Sequence, residues 1–334
     1  MQGREKIGWA DFAGLVVSGV AAAVAPLQVL LLAFVFLGPF HYLTEIAWLR
    51  KKQFYFAEGM ISSRIYVLLA VVMAALTMLE RVFRVDFTVW MVGLLLLVSL
   101  SVWVRNVYAI LAIGVAAVVT AFYLRTWVYF VAVMVPTLVH VFFFTWTFMV
   151  SGAFRDKRES LVKWMNPTLI VAIPLLLMLL PMHYAAPSGV WLRGEAASFG
   201  AIHFKLAGDL HHTMTLNTQL LNDRVVAGLL RLFAFVYLFH YLNWFAKTEL
   251  LQWHKVSRGG WSLIVLLYFS SLGVYVWNFR MGFVVSTFLS MLHVLLEFPL
   301  NWHTLRFVLG RARGGRLREN SAVQSDGLAP ALPK

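Results

Sequence analysis

The chain has 334 residues, of which 61% are hydrophobic and 13% charged, with a mean hydropathy of +0.77. Soluble domains carry about a quarter charged residues, so this balance and the long apolar runs exclude a soluble globular protein and predict a polytopic helical membrane protein. The net charge of +13 does not indicate nucleic acid, because Lys and Arg gather in short loops and at the C-terminus, as in flanks that orient membrane helices.

There is no cysteine, which excludes disulfides and cysteine-ligated metals. Alternating segments of about ten residues are absent, which argues against a transmembrane β-barrel. The chain opens on a short polar stretch, 1–8, with Arg4 and Lys6. The apolar segment 9–25 ends at Pro26 and reads either as a short first span or as the first half of a long kinked helix. No small-residue cleavage region follows it, so no cleavable signal peptide is expected. The next spans are expected at 27–49, 65–79, 87–104, 107–123, 127–150, 167–184, 225–250, 261–278 and 281–309.

The expected fold is therefore all-α, with nine or ten transmembrane helices in one domain, 1–310. An extracytoplasmic loop at 185–224 and a disordered cytoplasmic tail at 311–334 complete it. With residues 50–64 inside and alternation from there, 20 of the 28 Lys and Arg residues fall on the cytoplasmic side. That bias predicts a cytoplasmic C-terminus in a bacterial inner membrane, and ten spans if Arg4 and Lys6 are also inside. The long loop carries His203, Asp209, His211, His212 and Asp223, a weak metal signal by itself. Glu249 and His254 read as solvated.

Ionisable residues inside spans are costly, by about 2.5–3.5 kcal/mol on the insertion scale, and mark functional sites. His41 and Glu45 lie four residues apart and share one helix face, and His293 and Glu297 repeat the pattern. His140 and His240 lie in two further spans. Under the alternation above all four histidine-bearing helices run outside to inside, with the histidines at the fifteenth, fourteenth, sixteenth and thirteenth positions of their spans. At 1.5 Å of rise per residue the spread is about 4.5 Å of depth. The four histidines thus belong to one layer of the membrane.

Three chemistries compete for that layer. A transition metal such as Fe(II) takes neutral imidazole nitrogens and tolerates carboxylates. Haem would use two axial histidines and leave two unexplained. Alternatively each histidine satisfies one interhelical hydrogen bond, of about 0.6 kcal/mol on average. Four histidines at one depth together with Glu45 and Glu297 favour the metal. Asn243 and Trp244 follow His240 by three and four residues, so they share its face and are candidates to line the same cavity. His303 is an interfacial or gating candidate, and Gly38 with Pro39 can break the helix beside His41. The aromatic run 142–148 suits either a tunnel for an apolar substrate or plain packing.

These residues resemble the Brp/Blh family of membrane β-carotene dioxygenases, related to bacteriorhodopsin. The family's first histidine sits in a GLPHGALD-type motif, and LGPFHYLTE places His41 there with Glu45 for the aspartate. TLVHVFFF supplies His140. YLFHYLNWF supplies His240, with Trp244 where the family has a second histidine. LHVLLEFPLNWHTLR supplies His293, Glu297, His303 and Arg306. The motif-bearing helices are about half of the chain.

The resemblance implies an intramembrane non-haem oxygenase holding Fe(II) and using O2 on a long apolar substrate, such as a carotenoid, isoprenoid or lipid. His41, His140, His240 and His293 are then metal ligands, and Glu45 and Glu297 are catalytic groups that orient ligands or bind directly. Asn243, Trp244 and His303 are substrate-side residues. Because Trp244 removes one family ligand, either His293 or a carboxylate takes its place, or the carboxylate-rich site holds two metals. The expected partners are membrane lipid and the apolar substrate, and no nucleic acid. The alternative is a non-enzymatic transporter or complex subunit using the His/Glu groups as a proton or substrate path. Histidine-box desaturases rank lower, because their HxxxH and HxxHH boxes are absent.

Overall fold

The computed structural model describes residues 2–53, 63–83, 106–123, 136–156, 160–179 and 224–312. The expected span 87–104, the loop 185–223 with its histidines, and the tail beyond 312 lie outside these residues. All elements among the described residues are helical. Seven of the helices are long and apolar enough to cross a membrane. Their outward apolar side chains fit that medium: Leu266 and Phe269 are each 63% exposed and Val276 90%. In water such surfaces drive aggregation, whereas lipid matches them.

The chain divides into two compact units. The first comprises Met1–Gly38, Val141–Ala246 and Leu272–Phe283. Its hub is the helix Arg224–Ala246, which packs on Gln2–Val24, Pro26–Leu32 and Leu161–Leu179. Pro26 starts a new helix after a break at Ala25 (φ −142°, ψ 59°), so the first two segments are separate candidate spans. Close approach here uses small residues, as in other membrane bundles. A Cβ on Gly228 would lie 3.4 Å from the backbone of Met178. Leu161–Leu179 begins six residues before the expected start at Pro167 and carries Pro167 and Pro174 inside it. Packing overrides the local preference: the Asn166 amide, beside Pro167, donates to the Gly8 carbonyl at 2.7 Å.

The second unit comprises Pro39–His140, Lys247–Ser271 and Val284–Lys334. Asn106 caps the helix Val107–Tyr123, its side-chain oxygen accepting from the Tyr108 amide at 3.0 Å. An aromatic group of Phe40, Trp253, Trp261 and Tyr268, with ring centroids 5.5–6.5 Å apart, holds the end of Gly38–Lys51. Trp48 adds a 2.9 Å bond to the Leu251 carbonyl. Glu249 and His254 are exposed, as expected.

The longest helix among the described residues, Phe279–Ala312, has 34 residues. At 1.5 Å per residue it is about 51 Å long, well beyond a hydrocarbon core of about 30 Å. Asn278 caps its start, accepting from the Met281 amide at 3.0 Å. Within the first unit, Gly282 lets the preceding helix turn tightly, because a Cβ there would lie 2.7 Å from the Tyr275 Cα.

Candidate functional site

The second unit gathers His41, Glu45, His140, His293 and Glu297 in its interior. Their exposures are 0%, 2%, 1%, 2% and 5%, so all five are buried. The helical repeat explains part of this arrangement. Four residues turn the helix by about 400°, so His41 and Glu45 form one stripe, and His293, Glu297 and Asn301 another.

Backbone irregularities set the height and rotation of the histidines. Ala33–Leu37 is a π-helical turn closed by the Gly38 amide bonding to the Ala33 carbonyl, five residues back. Pro39, lacking an N–H, cannot continue the α ladder, and the wider turn absorbs the mismatch. Contrary to the expectation that Gly38 and Pro39 break the helix, it runs on from Pro26 to Lys51 and widens instead. His140 sits within a second π-helical segment, Pro136–Phe144. Such segments are rare in proteins and recur at functional sites.

The polar contacts run in a chain. His41 Nε2 and Glu45 Oε2 stand 3.1 Å apart. Glu45 and Glu297 lie close enough to interact electrostatically. Glu297 Oε2 stands 3.1 Å from His140 Nδ1, and His140 Nε2 stands 3.1 Å from His293 Nε2. Ring nitrogens of His41 and His293 lie within 4.8 Å of one another.

His293 is the centre of the ring packing. Tyr42 stacks on it (centroids 4.4 Å, 22°), while His41 and His140 meet it edge-on at 5.2 and 4.9 Å. Thr44, fully buried, donates to the Phe40 and His41 carbonyls at 2.9 and 3.0 Å and stiffens the turn between His41 and Glu45.

This donor set fits a transition metal. Glu297 Oε2 lies at ion-pair distance from His140 Nδ1 without forming a hydrogen bond to it; a carboxylate that does bond to Nδ1 fixes the tautomer and leaves Nε2 as the ligating atom. Two donors held at right angles on one ion, with bonds of about 2.1 Å, lie about 3.0 Å apart. The Nε2 atoms of His140 and His293 have that spacing. Nitrogen and carboxylate donors without thiolate suit Fe(II) and its neighbours.

His240 belongs to the first unit, where its Nδ1 and Thr145 Oγ1 share a 2.8 Å hydrogen bond. Asn243, also there, donates to the Asp11 carboxylate at 2.8 Å, and Trp244 is buried. Arg231 is buried in the same unit and donates to the Leu177 carbonyl at 3.3 Å. His303 is exposed. In the aromatic run, Phe143 packs on Phe144 and Trp146 with centroids 5.5 and 5.9 Å apart.

Sequence reasoning passes over Tyr42, Tyr66, Asn301 and Asp11. Asn301 was accessible from the four-residue series that begins at His293. The Tyr66 hydroxyl donates to the Leu295 carbonyl, a contact across 229 positions that no local pattern announces. Comparison with protein-family models, curated proteins and solved structures gives no match.

Proposed function

We propose that this chain is an intramembrane non-haem metal-dependent oxygenase, with iron as the metal and a long apolar molecule as substrate. One observation carries the reading: three histidines and two glutamates, all buried, converge inside one unit of an apolar helical protein. Five ionisable side chains in such a medium are costly unless a cation or one another compensates them.

His41, His140 and His293 would hold the metal, with Glu45 beside His41 as the carboxylate ligand. When bound, Fe(II) supplies the capacity to activate O2, which a histidine and carboxylate set with open positions supports. Glu297 orients His140 through Nδ1. Tyr42 holds the plane of His293 by stacking. The apolar surroundings keep water out and admit a substrate dissolved in the bilayer, a polyene, isoprenoid or lipid chain. The charge bias supports a bacterial inner membrane, with the C-terminus in the cytoplasm, as the location in this reading. The similarity of LGPFHYLTE and TLVHVFFF to the motifs of the carotene dioxygenases supports the same chemistry.

The test is aerobic incubation of the iron-loaded, detergent-purified chain with a panel of polyenes and isoprenoids, followed by mass spectrometry. Oxygenated or cleaved products that require O2 and disappear in His140→Ala support the reading. Product formation unaffected by His140→Ala contradicts it, as does ion-driven uptake into proteoliposomes abolished by Glu45→Gln without any turnover.

A further inference from the structure

The second unit carries a group of cations that the metal centre does not use. The candidate span Pro26–Lys51 finishes in Arg50 and Lys51, and the candidate span Arg258–Trp277 starts at Arg258. Two hydrogen bonds across 204 and 203 positions hold these regions together. Lys51 Nζ donates to the Lys255 carbonyl at 3.2 Å, and Trp48 Nε1 donates to the Leu251 carbonyl at 2.9 Å. Gln252 turns the chain between the two acceptors in left-handed backbone (φ 54°, ψ 31°), a conformation unfavourable for a residue with a Cβ. Trp261 Nε1 then fixes the turn by donating to the His254 carbonyl at 2.9 Å.

Arg50, Lys51, Lys255 and Arg258 are all exposed, and none of the four forms an ion pair among the described residues. Lys52 and Lys247 are half-buried beside them in sequence, and the single acid of the segment, Glu249, pairs with none of the four. Like charges gathered in this way repel one another. A bias of basic residues toward one side of a membrane explains why each is present, but not why the fold collects them from two distant segments. Next to them stand Phe40, Trp261 and Tyr268, half-buried rings with centroids 5.5 and 6.5 Å from Phe40 to the other two. Trp and Tyr favour the level of the lipid headgroups.

We infer that this rim binds an anionic phospholipid with two phosphates in its headgroup. The four exposed cations match the phosphates, and the aromatic rings take the glycerol and the first carbons of the acyl chains. The proposal is independent of the histidine centre and stands whether or not that centre holds a metal.

The experiment uses the full chain, stripped of lipid in an uncharged detergent and titrated in mixed micelles, with bound lipid counted by native mass spectrometry. Cardiolipin supplies two phosphates, phosphatidylglycerol one, and phosphatidylcholine no net charge. Inorganic pyrophosphate supplies the charge without acyl chains. The expected result is one cardiolipin per chain, held about 30-fold more tightly than phosphatidylglycerol because its second phosphate engages two more cations. Phosphatidylcholine and pyrophosphate should not be retained at the same concentrations. Arg258→Gln should weaken cardiolipin binding about 5-fold, and Arg258→Gln with Lys51→Gln about 30-fold. Arg280→Gln removes an exposed cation that follows the far end of the helix Arg258–Trp277, and should leave binding unchanged. Phosphatidylcholine bound as tightly as cardiolipin overturns the proposal. Tight pyrophosphate binding also overturns it, by assigning the cations to a soluble phosphate compound. An equal loss in Arg280→Gln does so too, by showing a response to net charge alone. The lipid comparison on the unsubstituted chain decides the matter even if the double variant fails to fold.

Discussion

Replacing Tyr66 by phenylalanine removes a single hydroxyl from the interior, and its effect depends on a proline 233 positions away. Pro299 lies inside the helix Phe279–Ala312 and has no N–H, so the carbonyl of Leu295, four residues earlier, loses its intrahelical donor. Tyr66 donates to that carbonyl, and both residues are 0% exposed, so water cannot take over. A buried acceptor left unmet costs about 1–3 kcal/mol. Interhelical hydrogen bonds in membrane proteins average about 0.6 and reach about 1.7 kcal/mol. The expected cost of Tyr66→Phe is therefore about 1–2 kcal/mol, a factor of about 5–30 in the unfolding equilibrium. Pro299→Ala restores an N–H opposite Leu295, and in that background Tyr66→Phe should cost less than about 0.5 kcal/mol. The double-mutant cycle is read from unfolding in mixed micelles by circular dichroism. An equal cost of Tyr66→Phe in both backgrounds would refute the role given to Pro299.

Other substitutions test separate parts of the structure. Glu297→Gln should weaken metal binding by about 10–100-fold in a chelator competition, because the carboxylate partner of His140 Nδ1 is lost. Asn243→Leu removes a donor to the buried Asp11 carboxylate and should lower stability by about 1.5–3 kcal/mol. The double variant with Asp11→Leu should recover much of that loss in the same unfolding assay, since replacing both partners by apolar groups can be nearly neutral. Gly282→Ala places a Cβ against Tyr275 and should destabilise the chain by about 1–3 kcal/mol, seen as a lower melting temperature in detergent.

The helical membrane class was legible because composition alone decides it: 61% hydrophobic residues in long runs leave few alternatives. The stripes His41/Glu45 and His293/Glu297 were legible because a helix repeats every 3.6 residues. Counting depth added His140, whose Nε2 stands 3.1 Å from that of His293, and His240, whose Nδ1 pairs with Thr145. The π-helical turns before His41 and around His140 were not legible, since they answer to packing as much as to Pro39. Asp11 was overlooked because its span reads as apolar, and only Asn243, 232 positions on, shows what it does.

The central claim, a metal held by buried histidines and carboxylates, is tested most directly by elemental analysis of the full chain purified in detergent. The account predicts at least one tightly bound transition metal ion per chain, with iron taken up on reconstitution, and its loss in His140→Ala and His293→Ala. A chain that folds, carries no transition metal and takes up none when Fe(II) is supplied would contradict it.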